Sequence, residues 1–550
     1  MKTKIDTRIE LITRYIDRIE NVKILEPLET KEALIKGKIV LVSLENQLEF
    51  EIMIWPGYPL QFQEMEAIRF INPKYIQYDH VNGDGSVCLH TNHSLSLETK
   101  IRQDFDALFQ WVQKYYLNQE SDKHYEHIIV PEKSLHGQRW AFLFTNIDHT
   151  FKDKEYGFFD YSRLSDGKYY EDQISTFLVQ SFWVGKQSIF NQWSSAYKSL
   201  PKYRGVFIFT GDPPVKNRRF AIDSWSLLKP FVSQDFFNFL YQNERSLIRQ
   251  EGGGPFIPLL IGYRINAEET HWQVALMPID GFPIKHQKEA GKFFGFFDDH
   301  PIDWTLTRNC SYEYFFGRGK LSAKFTESRI LIIGVGAIGS MVATTLTRGG
   351  CRQLTLIDHD MKEAENVCRS EYKFISGLSG KVVDLQKELL GISPFVEVKI
   401  SEGLTTFIKI KAWDQQCMDE VADHLDRFDI IFDCSTDNDM AYILDQIGFD
   451  GEIFNISITN YARELVCVGK ANLYNWLMTI FNQLINDDSD LYNPTGCWSP
   501  TFKASFNDIA VLVQYAIKQI NRCFEEQTQF RNFYLSTSSN EGFQIKLHQY

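Results

Sequence analysis

The chain has 550 residues, 44% apolar and 23% charged, a globular composition that excludes wholesale disorder and, by length, predicts three or four domains. Acidic residues outnumber basic ones 71 to 58, a formal net charge of −13 that argues against non-specific binding along a nucleic-acid backbone. Cysteines stand at 88, 310, 351, 368, 417, 434, 467, 497 and 523; none forms a Cys-x-x-Cys pair, so no zinc is expected, and their low, odd number fits a reducing cytosol.

The charged N-terminus leaves no room for the apolar core of a signal peptide. Residues 330–347 run without a charge, but Gly334, Gly336 and Gly339 in the interior read as a strand, a glycine turn and a helix start instead of a membrane span. The expectation is a cytoplasmic protein with neither nucleic-acid nor membrane partners.

The first predicted element is an amphipathic helix, since Ile5, Ile9, Ile12, Ile16 and Ile19 recur at spacings of three and four. Strands are predicted over 33–42 and 48–54, with Asn46 as a turn residue between them. An irregular stretch holding Tyr58, Pro59 and Cys88 follows, then a helix over 104–116. Helix, meander, cysteine loop and helix together read as an α+β domain. From 125 to 300 the aromatic runs at 140–144 and 205–210 read as buried strands, and Gly252 to Gly254 as a turn, in a folded α+β middle domain that carries no chemical motif. Strand candidates at 330–333, 354–358, 395–400, 430–433 and 453–458 then alternate with helical stretches, the pattern of a doubly wound, mainly parallel sheet.

Gly334-Val-Gly336-Ala-Ile-Gly339 is a G-x-G-x-x-G that follows a strand and opens a helix, where backbone can approach phosphate and helix N–H groups can meet it. Asp358 and Asp360 end the next strand, where an acid can bind a ribose. The motif alone leaves a nicotinamide and ATP even. Asn366 and Arg369, spaced i, i+3, can face one phosphate; Lys381 follows, and Asp437 lies beyond the strand at 430–433. Hydride transfer has no need of these extra charges. Attack of a carboxylate on an α-phosphate brings two anions together and requires cations, with an Asp to hold Mg²⁺ on the leaving pyrophosphate.

Residues 305–510 resemble the ThiF/MoeB/E1 family of ubiquitin-like protein activating enzymes in the run 328–339, in Asp358-His-Asp360, Glu365-Asn-Val-Cys-Arg369 and Lys381, and in Ser435-Thr-Asp-Asn438. The resemblance implies ATP as cofactor, ribose binding by Asp360, phosphate contacts from Asn366, Arg369 and Lys381, and Mg²⁺ at Asp437. It also implies a homodimer, with an arginine inserted from the partner; Arg308 and Arg318 both stand at a suitable distance upstream. Cys497, in the turn-rich run 494–500, lies where the family carries its crossover loop and where a thiol can capture the adenylate. Cys310, Cys351, Cys434, Cys467 and Cys523 read as small core residues.

The N-terminal stretch, through Tyr58-Pro59 and His80-Val-Asn82 to Cys88, resembles the ubiquitin-conjugating E2 core. The resemblance implies a thioester on Cys88 and an oxyanion donor in Asn82, although Val81 replaces the proline of the family motif and Asn82 lies close to the cysteine. A Cys–His hydrolase pairing Cys88 with His90 or His93 is the competing reading. Together the halves resemble the E2–E1 fusion family of CBASS antiphage operons. That implies an E2-like α+β domain at 1–122, a middle domain at 123–304 and a Rossmann-like ThiF/E1 adenylation domain at 305–550. It further implies that a partner's C-terminal carboxylate, that of a CD-NTase, is adenylated, passed to Cys497 and Cys88, and joined to an amine. A ThiF/MoeB-type adenylyltransferase for a sulfur-carrier protein is the alternative.

Overall fold

The computed structural model describes residues 4–43, 46–62, 65–120, 128, 130, 134–135, 137–217, 219–249, 255–265, 269–289, 292–401, 403–411, 415–484, 504–538 and 542–550. Cys497, Gly252 to Gly254 and residues 44–45 lie outside them.

Helix α1 (Lys4–Ile16) packs on an antiparallel meander of β1 (Val22–Lys31), β2 (Leu34–Ser43), β3 (Asn46–Ile54) and β4 (Ile68–Ile71), and α2 (Leu97–Trp111) follows. Alternation along β3 turns Leu48, Phe50, Ile52 and Ile54 into the core while Glu49 and Glu51 face outward. Ser96 caps α2 by accepting the Thr99 N–H, and the helix continues as a π turn (Val112–Leu117).

The middle of the chain is dominated by one closed sheet. Its strands are β5 (Gln138–Phe144), β6 (Tyr156–Tyr169), β7 (Asp172–Val184), β8 (Gln187–Phe190), then, after the short α3 (Ser195–Lys198), β9 (Tyr203–Gly211). A two-residue-per-strand hairpin, β10 (Val215–Lys216) and β11 (Phe220–Ala221), and helix α4 (Gln234–Ile248) precede β12 (Phe256–Arg264), β13 (Thr270–Pro278), the hairpin β14 (Ile284–Glu289) and β15 (Lys292–Phe297), and β16 (Asp303–Asn309). The order β5-β16-β13-β12-β9-β6-β7-β8, with an extra β5–β7 pairing, closes the sheet into a barrel that leaves β8 appended. Inward positions such as Phe142, Phe159, Phe177, Phe207 and Trp272 fill it with rings. Outward positions such as Val206, Ile208, Leu259 and Ile261 pack with Phe236, Phe237 and Leu240 of α4. The middle domain is thus a barrel with one long helix, and β16, its parallel partner to β5, runs across the 304/305 division expected from sequence.

Short helices α5 (Tyr312–Phe316) and α6 (Ala323–Thr326) lead into β17 (Arg329–Ile333), α7 (Ala337–Arg348), β18 (Gln353–Ile357), α8 (Lys381–Ile392), β19 (Glu397–Ile400), α9 (Leu404–Lys411), α10 (Gln415–Leu425), β20 (Ile430–Asp433), α11 (Asn438–Gln446), β21 (Glu452–Thr459), β22 (Glu464–Gly469), α12 (Leu473–Leu484), α13 (Phe506–Glu525), β23 (Phe533–Ser538) and β24 (Gln544–Gln549). The sheet order β19-β18-β17-β20-β21-β22-β23-β24 is parallel through β21 and antiparallel beyond it. This is a Rossmann-like sheet with its glycine turn beside the point where the strand order reverses. The chain is a mixed α/β multidomain protein. No described helix is long and apolar enough to cross a membrane.

Candidate functional site

The uncharged run is β17 and α7, joined by the glycine turn. Gly334 has φ +78°, and a side chain there would meet the Ser435 backbone at 2.6 Å; a side chain on Gly339 would meet the Gly334 carbonyl oxygen at 1.9 Å. Only glycine permits that close crossing. Gly336, at the start of α7, has open space where a side chain would be, so the helix N-terminus is accessible to an anion.

Asp358, just beyond β18, has a structural task. Its carboxylate accepts the Val335 N–H (2.9 Å) and the Asp360 N–H (2.8 Å), which ties the glycine turn to the neighbouring strand end. Asp360, half-exposed, pairs with Lys381 at 2.6 Å, so the expected ribose acid and phosphate cation meet at the start of α8. Asn366 and Arg369 share one 3-10 turn (Ala364–Arg369), but Asn366 Oδ1 accepts the Glu363 N–H and acts as a cap. Tyr372 donates to the Val335 carbonyl (2.5 Å) and so binds this segment to the glycine turn, a role that its position three residues past Arg369 did not disclose.

Beyond β20 the chain turns so that Ser435 abuts Gly334. Asp437 caps α11 by accepting the Asp439 N–H (3.0 Å) and Met440 N–H, and its other oxygen pairs with Lys409 of α9. Burial raises the Asp437 carboxyl, but the Lys409 ammonium and the helix N–H groups outweigh it and hold the acid below the usual carboxylate range. A cation therefore already sits against this anionic oxygen, and the donor chemistry suits Mg²⁺. Lys409 carries no sequence signal, being one lysine on a helix. Beneath lies Asp433, fully buried, whose oxygens accept from Ser435 and Asn455. Arg308, on β16, and Arg318, past α5, are both exposed.

Cys88 stands apart from this cluster, half-buried in the loop after the meander, with its N–H donating to the His80 carbonyl (2.8 Å) and Sγ 3.6 Å from His90 Nε2. The Asn82 amide is used within its own turn, donating to Ser86 Oγ at 3.0 Å. Below His90 is a buried polar cluster that sequence reasoning missed. Lys100 donates to Glu66 (2.6 Å), Asp104 and Thr91, Tyr58 donates to Asp104 (2.7 Å), and Thr91 donates its N–H to Glu66. Burial pushes Asp104 up despite these donors, whereas Lys100 and Thr91 pull Glu66 below its ordinary value against the opposing push of burial. The cluster nails Thr91 to α2 and so fixes the loop that carries Cys88 and His90. Cys351, Cys434 and Cys467 are buried, and burial pushes their thiols up, Cys351 to about 12, away from nucleophilic use. Cys310 and Cys523 are half-buried, and Cys368 is exposed.

Residues 308–459 match the ThiF family. The ATP-dependent ubiquitin transferase-like protein Cap2 of Enterobacter hormaechei subsp. hoffmannii is 25% identical over 232 residues, 40% of this chain and 37% of that protein. The tRNA threonylcarbamoyladenosine dehydratase 1 of Saccharomyces cerevisiae is 30% identical over 121 residues, 22% of this chain and 25% of that one. The matches thus span about a quarter to a third or so of these relatives' lengths. Among solved structures, E. coli MccB with ATP aligns over 41% of this chain and 64% of its own at 16% identity and a TM-score of 0.30.

Proposed function

We propose, taking the ThiF family domain at 308–459 as premise, that this chain is an E1-like adenylyltransferase that activates the C-terminal carboxylate of a partner protein with ATP and conjugates it to an amine. The carboxylate is captured on Cys497, moved to Cys88 and released to the amine. The observation that carries the reading is the presence in one chain of two chemically distinct centres. One is an open glycine turn, tied through Asp358 to the Asp360–Lys381 pair and abutted by Ser435, two residues before Asp437; the other is a half-buried cysteine on a braced loop.

Gly334, Gly336 and Gly339 and the α7 N-terminus would hold the phosphates, with Asp358 fixing the turn and Asp360, Asn366, Arg369 and Lys381 around the nucleotide. Attack of the partner's carboxylate oxygen on the α-phosphate of ATP would expel pyrophosphate, whose charge Mg²⁺ at Asp437 would offset, and the Cys497 thiolate would then displace AMP from the acyl carbon. At Cys88 the thiolate takes the acyl group from Cys497, whose sulfur leaves; an amine then forms the C–N bond as the C–S bond breaks and the Cys88 thiolate departs. Support for an E2-like domain at 1–122 comes from the helix, four-strand meander and helix flanking the cysteine loop. Asn82, the family's oxyanion donor, would have to leave Ser86 to serve.

The resemblance to the CBASS fusions nominates a CD-NTase as the protein with the free C-terminus, a bacterial cytoplasmic setting and a homodimer through the adenylation domain. The test is mass spectrometry of Cys88→Ser purified from the native host. Serine traps the acyl group as a slower oxyester, so a peptide joined through its C-terminal carbonyl to residue 88 is expected. An adduct confined to Cys497 would replace conjugation by the sulfur-carrier adenylyltransferase reading. One observation favours a second reading, a Cys–His hydrolase, because His90 lies 3.6 Å from Sγ. That reading predicts release of the trapped acyl group to water at the same rate with or without amine.

A further inference from the structure

Segments flanking the barrel touch both neighbouring domains at defined places. On the Cys88 side, Arg219, in the loop between β10 and β11, is 5% exposed and reaches into the N-terminal domain. Its Nη2 donates to the carbonyls of Ile76 (3.2 Å), Tyr78 (2.5 Å) and Val81 (2.9 Å), and its Nε lies 3.8 Å from Asp79. These carbonyls belong to an irregular segment, and a single guanidinium nitrogen gathers all three. The same segment ends at His80, whose carbonyl accepts the Cys88 N–H, and at Val81, which bridges to Val87. The Phe220 ring rests against the following turn, 3.4 Å from where a side chain on Gly83 would be.

On the adenylation side, Trp193 stacks on Phe395 with ring centroids 5.8 Å apart, and Tyr197 donates to the Leu390 carbonyl at 2.5 Å. Ser195 donates its N–H (2.7 Å) and hydroxyl (2.5 Å) to Glu397 of β19. Between the two contacts lies the ring-filled barrel, packed too densely to bend freely.

We propose that the barrel is a strut that sets the Cys88 loop relative to the adenylation domain, with Arg219 as a positioning residue for Cys88. This deepens, and for its chemical arm rests on, the conjugation reading above. Arg219 touches no reacting atom; it fixes the carbonyls on which the cysteine backbone hangs.

The test uses the full chain. In hydrogen exchange, Arg219→Ala should deprotect amides between 76 and 88 while leaving α1 and the glycine turn as in the wild type; unchanged protection of 76–88 overturns the strut. In the Cys88→Ser background in the native host, Arg219→Ala should lower the fraction of chains esterified at 88 by about a hundredfold, the scale of an ångström-size misplacement. The Mg-ATP thermal shift should stay the same, and Arg219→Lys should restore part of the labelling. Equal labelling in Arg219→Ala overturns the proposal. Glu397→Ala, on the far contact, should lower labelling with 76–88 still protected, which separates positioning from a collapsed loop. Absence of any adduct in the Cys88→Ser parent sinks the conjugation reading, and the exchange arm still decides the strut.

Discussion

A methyl group added to the glycine turn separates folding from nucleotide binding. At Gly339 it would stand 1.9 Å from the Gly334 carbonyl oxygen, and that oxygen is backbone and cannot swing aside. Overpacking of this kind costs about 1–3 kcal/mol, less the roughly 0.5–1 kcal/mol by which alanine favours a helix interior over glycine. The net loss, about 1.25 kcal/mol at the midpoints of these ranges and at most about 2.5 kcal/mol, corresponds to a fall of roughly 3–5 °C, and at most about 10 °C, for a domain of this size. At Gly336 nothing lies within 4 Å, so Gly336→Ala should melt within about 2 °C of the wild type. Its methyl nevertheless occupies the accessible helix end. Mg-ATP at a hundred times its dissociation constant would stabilise the wild type by about 2.7 kcal/mol, and Gly336→Ala should lose most of that gain. Differential scanning fluorimetry with and without Mg-ATP reads both numbers. A Gly339→Ala that melts like the wild type refutes the steric reasoning, and a Gly336→Ala that responds fully to Mg-ATP refutes the phosphate site.

Lys100→Met should cost about 3–5 kcal/mol by stranding Glu66 and Asp104 in the core, and adding Glu66→Gln and Asp104→Asn should recover most of it. A denaturant midpoint unchanged in the single variant would contradict this. Asp437→Asn keeps the helix cap but loses the Lys409 pair. Because the folded carboxyl sits below the ordinary aspartate range, its stabilisation should be full above that range and vanish as pH falls through the lower folded value. The stability gap to Asp437→Asn, followed by denaturation between neutral and strongly acid pH, should close only at the acid end. His90→Gln should slow iodoacetamide alkylation of Cys88 by about threefold or more, since the ring nitrogen 3.6 Å from Sγ can take the thiol proton. Equal alkylation rates, located by peptide mapping, would show that the contact is idle.

The C-terminal half was legible because its signals are local. Strand periodicity, the glycine spacing and the acids at strand ends all lie within a few residues of what they build, and the predicted strands at 330–333 and 430–433 fall on β17 and β20. What remained hidden was the division of labour among the acids, since Asp358 proves to be occupied by the Val335 and Asp360 N–H groups. Asn46, read as a turn residue, opens β3, and β1 and β4 escaped notice because Glu and Lys on β1 and the brevity of β4 mask their alternation. The barrel was unreadable for a different reason. The runs at 140–144 and 205–210 are indeed strands β5 and β9, yet closure depends on β5 pairing with β7 and with β16, contacts that no local pattern encodes. Lys100, Arg219 and Lys409 were invisible for a related cause: Glu66, the carbonyls at 76–81 and Asp437 all lie on other elements, and the i,i+4 pairing of Lys100 with Asp104 by itself gave no sign of burial.

The late arrival of β16 also bears on how the chain is made. β5 emerges from the ribosome early but meets its parallel neighbour β16 only after more than 150 further residues, so an exposed edge persists while the rest of the barrel is made. A fragment truncated at 304 would retain that open edge and is expected to aggregate, whereas one carried through Asn309 has every barrel strand in hand. The barrel seals just as translation enters the stretch that matches the ThiF family.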